Sequence, residues 1–356
     1  IRSPGELHAP ALALGQRKDE AGGDLFIRRK SRGKLCARWS PVQAMVDERG
    51  DRAVEFPMAA PALRALLEHA IDYAGLFPPA SLALEPALQK QAASLRSPDR
   101  WMLGAFILPV GKFAATASQL SQFSTEHPLQ ISALGPKDVA AAGFGETLQG
   151  IVAAIDKFSA EDKGVIAITQ FEMPLPLNVD QDSLGEVEDS LGKRGLKIFW
   201  EAPAEDAPAV IEALAGREVG FKLRTGGVSA DAFPTDAQIA RALVASARHQ
   251  VPIKFTAGLH HPVKKFHDSV GTKMHGFLNV LGAGVLAAEH DWDEAQTAAM
   301  LADEDAQSFG FDLETFRWRD WQISTKQIAA RRRLVTSLGS CSFDEPREDL
   351  RALDLF

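Results

Sequence analysis

Cysteine is almost missing from this chain: its 356 residues hold two, Cys36 and Cys341, near opposite ends. That excludes a disulfide framework and a Cys-rich metal centre. No apolar run approaches the about 20 residues of a bilayer-crossing helix. The longest, residues 276–288, is short and interrupted by glycine. Nor does the sequence open with a charged segment, an apolar stretch and a small-residue cleavage site, so no secretory signal is read and a cytoplasmic protein is the remaining expectation. No GxGxxG and no P-loop occurs, which argues against dinucleotide and ATP chemistry. No cofactor is expected.

What is present is ordinary globular composition, 46% hydrophobic and 24% charged. The charge is unevenly placed. Residues 1–56 hold 11 Lys/Arg and 8 Asp/Glu, which leaves 28 against 39 for the rest, a balance of −11. An acidic body lacks the concentrated basic face that phosphate backbones require, so nucleic acid is not an expected partner, and neither is a membrane. The basic cluster Arg28, Arg29, Lys30, Arg32 and Lys34 lies in a stretch without apolar periodicity. Residues 1–56 are therefore expected to be a poorly ordered leader.

From about residue 58 onward, short β-rich apolar runs alternate with longer segments of helical period, the pattern of βα units on a parallel sheet. A helix over 60–71 places Leu63, Leu66, Leu67 and Ala70 on one stripe and leads into a loop, 72–79, where a weak first strand is expected. Strands are expected at 102–109, 129–134, 165–171, 196–200, 219–223 and 251–255, with helices at 82–95, 111–123, 145–160, 182–194, 205–215 and 236–249 between them. Closing a barrel takes an eighth. Residues 274–288 are long and glycine-interrupted, which suits a buried helix, whereas 334–343 is short and holds Val335, Thr336 and Phe343. The expectation is an α/β protein, a (βα)8 TIM-type barrel. It forms one domain over 57–356, with an expanded crossover at about 262–333 before the last strand. Within that crossover a helix at 293–303, a Trp-rich stretch at 316–321 packed against the barrel, and a basic helix at 325–333 are expected.

Reactive groups of such barrels project from the C-terminal ends of strands. The sixth and seventh strands read Phe221-Lys222-Leu223-Arg224-Thr225-Gly226-Gly227 and Ile253-Lys254-Phe255-Thr256-Ala257-Gly258-Leu259, each with a lysine embedded among apolar residues. Burying an ammonium group is expensive unless it is paired or loses its proton. Neighbouring strands lie about 4.8 Å apart, so two inward lysines at one height would be close neighbours and would lower each other's pKa. A neutral amine able to attack a carbonyl is one outcome. The alternatives are lysines pointing outward between helices or paired with a carboxylate such as Glu201.

These segments resemble the deoxyribose-phosphate aldolase-like class I aldolases. That family carries, on four successive strands, a terminal Glu, Lys-Thr-Ser-Thr-Gly, Lys-Ala-Ser-Gly-Gly and Gly-Thr-Ser-Ser. This chain offers Lys197-Ile198-Phe199-Trp200-Glu201, Lys222-Leu223-Arg224-Thr225-Gly226, Lys254-Phe255-Thr256-Ala257-Gly258 and Gly339-Ser340-Cys341-Ser342. The resemblance implies that Lys222 forms the imine, that Lys254 lowers its pKa, and that the last motif, with Ser340 and Ser342, helps to bind a phosphate. Glu172, on the fourth strand, is set in the family's acidic proton-relay position. Three features depart from the pattern: Arg224 stands for a small hydroxyl residue, the last crossover is far longer, and Leu259-His260-His261-Pro262 has no counterpart. The wording of 72–79 and 258–262 is also similar to that of a bacterial barrel family from which no function carries over.

Three readings follow. The first is Schiff-base aldol or retro-aldol chemistry on a small oxo-acid or phosphorylated carbonyl compound, with Lys222, Lys254 and Glu201 catalytic. Asp72, Glu172, Arg224, Thr225, Gly226, Gly258, His260, His261, Ser340 and Ser342 are then expected to bind an anionic small-molecule substrate. The second is a metal-assisted hydrolase or isomerase, because His260, His261, His267 and His275, with Glu201 or Glu172, have suitable ligand chemistry. Their spacing matches no zincin-type motif, so no metal is assigned. The third is a non-catalytic anion-binding barrel built on Lys222, Arg224 and Lys254. A homo-oligomer is left open, and Cys341, between two serines, lacks a recognisable His and acid that would make it a nucleophile.

Overall fold

A computed structural model describes residues 59–356 apart from 162–163, 177–178 and 180. The leader expected at 1–56 lies outside the described residues. Eight parallel strands close a barrel: β1 (Ile71–Tyr73), β2 (Leu103–Pro109), β3 (Leu129–Leu134), β4 (Ile166–Pro174), β5 (Lys197–Ala202), β6 (Val219–Arg224), β7 (Ile253–Thr256) and, after a long crossover, a last strand at Val335–Ser340 that pairs with both β7 and β1. The fold is thus the expected (βα)8-type barrel. No helix among the described residues is long and apolar enough to cross a membrane.

The alternation of the strands explains how they sit. In β6 and β7, Phe221, Leu223, Ile253 and Phe255 are buried on the face opposite Lys222 and Lys254, because successive side chains of a strand point to opposite sides. Removing an aromatic ring of that size from water contributes about 1.5–3 kcal/mol. The apolar faces therefore fasten the strands to the surrounding helices. The polar residues are turned into the barrel.

Three local expectations are corrected. The helix expected over 60–71 spans Pro61–Leu67 and stops there, since His69 has a positive φ of 48° and its ring meets the Leu103 carbonyl at 2.9 Å. The first strand consequently begins at Ile71, before the loop in which it was placed. The helix expected over 111–123 is broken into two 3-10 turns around a short helix, Phe113–Ala117. There the Thr116 and Ser118 hydroxyls bond to the carbonyls of Lys112 and Ala115, and such side-chain bonds compete with a regular helix.

Between β7 and the last strand the chain builds a hairpin, β8 (Lys265–His267) with β9 (Thr272–Met274), then a buried helix, Phe277–His290, and a helix at Glu294–Leu301. The Trp-rich stretch falls in an antiparallel sheet of β10 (Phe309–Phe311), β11 (Thr315–Trp318) and β12 (Trp321–Ser324). Its Trp318 and Trp321 pack edge-on to Trp292, 5.7 and 5.1 Å between centroids, so this sheet joins the helical layer. The closing strand is β13 (Val335–Ser340). The buried helix lies directly on it, since a Cβ at Gly284 would meet Val335 Cγ2 at 2.7 Å.

One glycine matters for the interior. Gly220 pairs with Phe199 across β5 and β6, and a Cβ there would lie 2.7 Å from the Phe199 ring and 2.7 Å from the Pro252 carbonyl oxygen. Its bare Cα makes room for the Phe199 ring, which faces Lys254 Nζ at 5.5 Å from the centroid. Gly220→Ala is expected to cost about 1–3 kcal/mol through overpacking. Urea unfolding measures this, and a wild-type midpoint would contradict the packing described.

Candidate active site

Strand register decides what meets inside the barrel. Lys222 is paired with Lys254 across β6 and β7, and Glu201 with Lys222 across β5 and β6. All three side chains are brought to one level, where they meet Asp72 from β1 and Glu172 from β4. Lys254 is fully buried, and its Nζ lies 2.7 Å from Asp72 Oδ2, 2.5 Å from Glu172 Oε1 and 2.6 Å from Gln170 Oε1. Three oxygens match the three N–H donors of an ammonium group. Lys222 Nζ lies 2.8 Å from the other Glu172 oxygen and 2.9 Å from Glu201 Oε2. Glu172 therefore bridges both lysines.

A further ring of donors holds the carboxylates. The Ser132 hydroxyl donates to Glu172, the Ser337 hydroxyl to Asp72 Oδ2 at 2.8 Å, and the Ala105 amide to Asp72 Oδ1 at 2.6 Å. Burial alone would raise the pKa of Glu172, but Lys222 and Lys254 outweigh it and hold the carboxyl well below the usual range. For Lys222, burial opposes the charged form, yet Glu172 and Glu201 raise its pKa above the ordinary value. This overturns the expectation that the two ammonium groups would leave one of them as free base. The physical reason is the carboxylate between them, since an opposite charge at 2.8 Å favours the ammonium more than a second cation opposes it.

Above this network a cavity of about 310 Å³ opens at the C-terminal ends of the strands. A larger hollow, about 730 Å³, lies at the opposite end, beside Leu103 and Gly104 at the start of β2. Reactive groups of parallel barrels gather at the C-terminal end, and Lys222 is there, so the smaller cavity is the candidate site.

Of the residues expected at the site, Lys222, Glu201, Arg224, Gly258 and His260 line the cavity, while Asp72, Glu172 and Lys254 form the charged network beneath it. Five others do not reach its wall. Thr225 donates to the Ala257 carbonyl at 2.6 Å, which ties the turns after β6 and β7 together. Gly226 packs on Gly258, where a Cβ would come 2.8 Å from the Gly258 Cα. The Ser340 carbonyl accepts the Ala74 amide, and the Ser342 hydroxyl accepts the Glu345 amide at the start of the last helix, Asp344–Ala352. His261 Nδ1 meets Asp349 Oδ2 of that helix at 2.6 Å, and burial lowers its pKa. The two serines thus hold the closing turn together, and it is Gly339 and Cys341 of that motif that line the cavity.

His260 is different. Its Nδ1 lies 3.0 Å from Glu345 Oε2 and 3.9 Å from Cys341 Sγ. Burial opposes its charged form, but Cys341 and Glu345 outweigh burial and push its pKa up to about 9. It is an imidazolium at neutral pH. His275 meets the Pro234 carbonyl and Asp236 instead, and among the described residues no group of three or more His, Cys, Asp and Glu is arranged to hold an ion. The metal-assisted reading loses its ligand set. Gln170, Ser132 and Ser337 of the charged network, and Lys137 at the cavity rim, carry no motif signal in the sequence. Gln170 stands two residues before Glu172, so strand alternation puts them on one face, and Ser132 pairs with Gln170 across β3 and β4.

No family model and no curated protein matches this chain. Among solved structures it is similar to a type I 3-dehydroquinate dehydratase from Clostridium difficile with covalently modified comenic acid. The identity is 10% over 61% of this chain and 81% of that one, with a TM-score of 0.31. It is also similar to the tryptophan synthase alpha chain from Legionella pneumophila, at 12% identity over 68% of this chain and 95% of that one, with a TM-score of 0.33. Likeness at this level says nothing of the site, and the barrel is established by its own strand pairing.

The paired charges set a pH window. Glu172, with its folded pKa below the ordinary 4.5, adds stability that is present above that value and lost as pH falls through the folded pKa. Lys222, raised above 10.5, adds stability that is complete below that value and lost as pH rises through the folded pKa. Glu172→Gln leaves two buried cations short of their shared anion, and is expected to cost about 3–5 kcal/mol near pH 7. Urea unfolding across pH checks both. A loss below about 1 kcal/mol for the variant would mean that the bridge is not formed.

Proposed function

We propose that this barrel is a lyase of the Schiff-base type, in which Lys222 carries out aldol or retro-aldol chemistry on a small anionic carbonyl compound. The observation that supports this best is the setting of the Lys222 amine: it lines the cavity, with one buried carboxylate, Glu172, and one partly exposed carboxylate, Glu201, each within 3 Å.

Free base does not come from repulsion between the lysines. It comes from proton transfer inside the ion pair, from Lys222 to Glu201, when substrate displaces water and the neutral pair is favoured over separated charges. The amine nitrogen then attacks the carbonyl carbon, the carbonyl oxygen takes one proton from that nitrogen and one from Glu201 and leaves as water, and a protonated imine remains beside a Glu201 that is again a carboxylate. That imine carries a single positive charge at the nitrogen that bore it before. Glu172 and Glu201 therefore hold the intermediate as they held the ammonium, and electrons from the breaking carbon–carbon bond flow into it. Glu201 is placed to remove the proton from the hydroxyl of the departing fragment. Lys254, saturated by three oxygens, keeps Glu172 ionised and fixed and acts as a positioning residue. A non-catalytic anion-binding barrel is the second reading, and the raised pKa of Lys222 favours it.

Hydride reduction separates the two. Protein incubated with a panel of carbonyl compounds and a hydride reductant is expected to gain a covalent adduct at Lys222, found by peptide mass mapping and lost in Lys222→Met. Because the proton passes within the ion pair, the wild-type trapping rate is expected to stay within about twofold between pH 7 and 9. Glu201→Gln removes the internal proton acceptor, and its slower trapping is expected to rise roughly tenfold per pH unit as the free amine fraction grows. Ligand binding without any adduct across the panel would instead establish the second reading.

A further inference from the structure

The walls of the cavity are chemically divided. On the side of β6 and β7 stand Arg224, half exposed and only loosely paired with Glu201 at 3.8 Å, and the His260 imidazolium. Lys222 and His260 each have a carboxylate close behind them, Glu172 at 2.8 Å and Glu345 at 3.0 Å, so Arg224 is the cation of this wall least committed to a partner. On the side of β1 to β4 the wall is made by Phe77, Pro78, Pro79, Ile107, Leu134 and Pro174. None of these side chains can donate or accept a hydrogen bond, and the three prolines also lack the backbone N–H that a strand-end residue would otherwise present. Lys137 is the charged residue lining that side, at the rim with its side chain in solvent.

We infer that the substrate is an amphipathic oxo-compound, with its anionic group towards Arg224 and His260 and an unhydroxylated hydrocarbon portion against the β1–β4 wall. This rests on the imine chemistry proposed for Lys222 and narrows it, because it excludes polyhydroxylated sugar chains. A hydroxyl pressed on that wall gives up its water and finds no partner, a loss of roughly tenfold in affinity for each such group. A hydrocarbon portion instead gains from leaving water. The cavity, about 310 Å³, stands at the small end of ligand pockets, which suits a short or branched tail.

The test compares hydride-trapping rates at Lys222 of the full chain for matched carbonyl compounds, each normalised to its rate with a free lysine amine in solution. The probes are 4-methyl-2-oxopentanoate, a 2-oxo acid of six carbons hydroxylated along its chain, a phosphorylated six-carbon ketose, and uncharged 4-methylpentan-2-one. The hydrocarbon-tailed 2-oxo acid is expected to label Lys222 at least about tenfold faster than the hydroxylated acid, the sugar phosphate and the uncharged ketone. Leu134→Asn, which adds hydrogen-bonding groups to the apolar wall, is expected to narrow the gap to the hydroxylated acid. Arg224→Gln is expected to narrow the gap to the uncharged ketone. Equal or faster labelling by the hydroxylated acid or the sugar phosphate overturns the inference while leaving imine chemistry in place. The absence of an adduct from every probe overturns both.

Discussion

A single carboxylate, Glu172, holds two ammonium groups in the middle of the barrel, and the rest of the site is arranged around that bridge. Its two oxygens serve Lys222 and Lys254 separately, with Lys254 fully buried and Lys222 nearly so at the cavity floor. Buried charge of this kind survives only where every donor and acceptor is matched. Asp72 and Gln170 complete the shell of Lys254, Ser132 and Ser337 donate to the carboxylates, and Glu172 Oε2 is held by the Lys222 charge without hydrogen-bond geometry; these partners come from β1, β4, β3, β13 and β6. The network therefore depends on most of the barrel being closed and in register.

Closure in turn depends on the strands having two different faces. Along β4 to β7 the residues that alternate with Glu172, Glu201, Lys222 and Lys254 are Phe171, Met173, Trp200, Phe221, Leu223, Ile253 and Phe255, all buried. Hydrophobic burial against the helices supplies the stability of each strand, and the inward face is then free to carry charge. A slip of one residue in any of these strands would exchange the two sets. Packing and chemistry are thus fixed by the same pairing.

The network also ranks its lysines. Lys254 is enclosed by oxygens and lies below the cavity, whereas Lys222 has one partner that is partly open to solvent and is itself part of the cavity wall. Only the second is placed to meet a ligand. The carboxylates that raise its pKa at rest would match the charge of the imine proposed at the same nitrogen. Above it, His260 links the cavity wall to the last helix through Glu345, and Thr225 ties the turns after β6 and β7 together. The mouth is held by contacts that the chemistry does not use.

Much of this was legible in the residues alone. The alternation of β-rich and helical segments determined the barrel, the choice of 334–343 as its last strand, and the buried helix at 277–290, because hydrophobic period is a local property that each segment carries with it. Phe221-Lys222-Leu223 and Ile253-Lys254-Phe255 showed that each lysine lies opposite an apolar face but left open whether it points into the barrel or outward between helices, and the register of β6 on β7 decided that both face inward at one height. The tertiary structure alone decided what stands between them. Glu172 lies 50 and 82 positions from its two lysines, and whether a carboxylate or nothing separates two ammonium groups depends on how the staggered strands of a closed barrel meet across its interior, which no local pattern encodes. That placement reversed the direction of the Lys222 shift. It likewise placed Ser340 and Ser342 in the closing turn, where the Ala74 and Glu345 amides donate to the Ser340 carbonyl and the Ser342 hydroxyl.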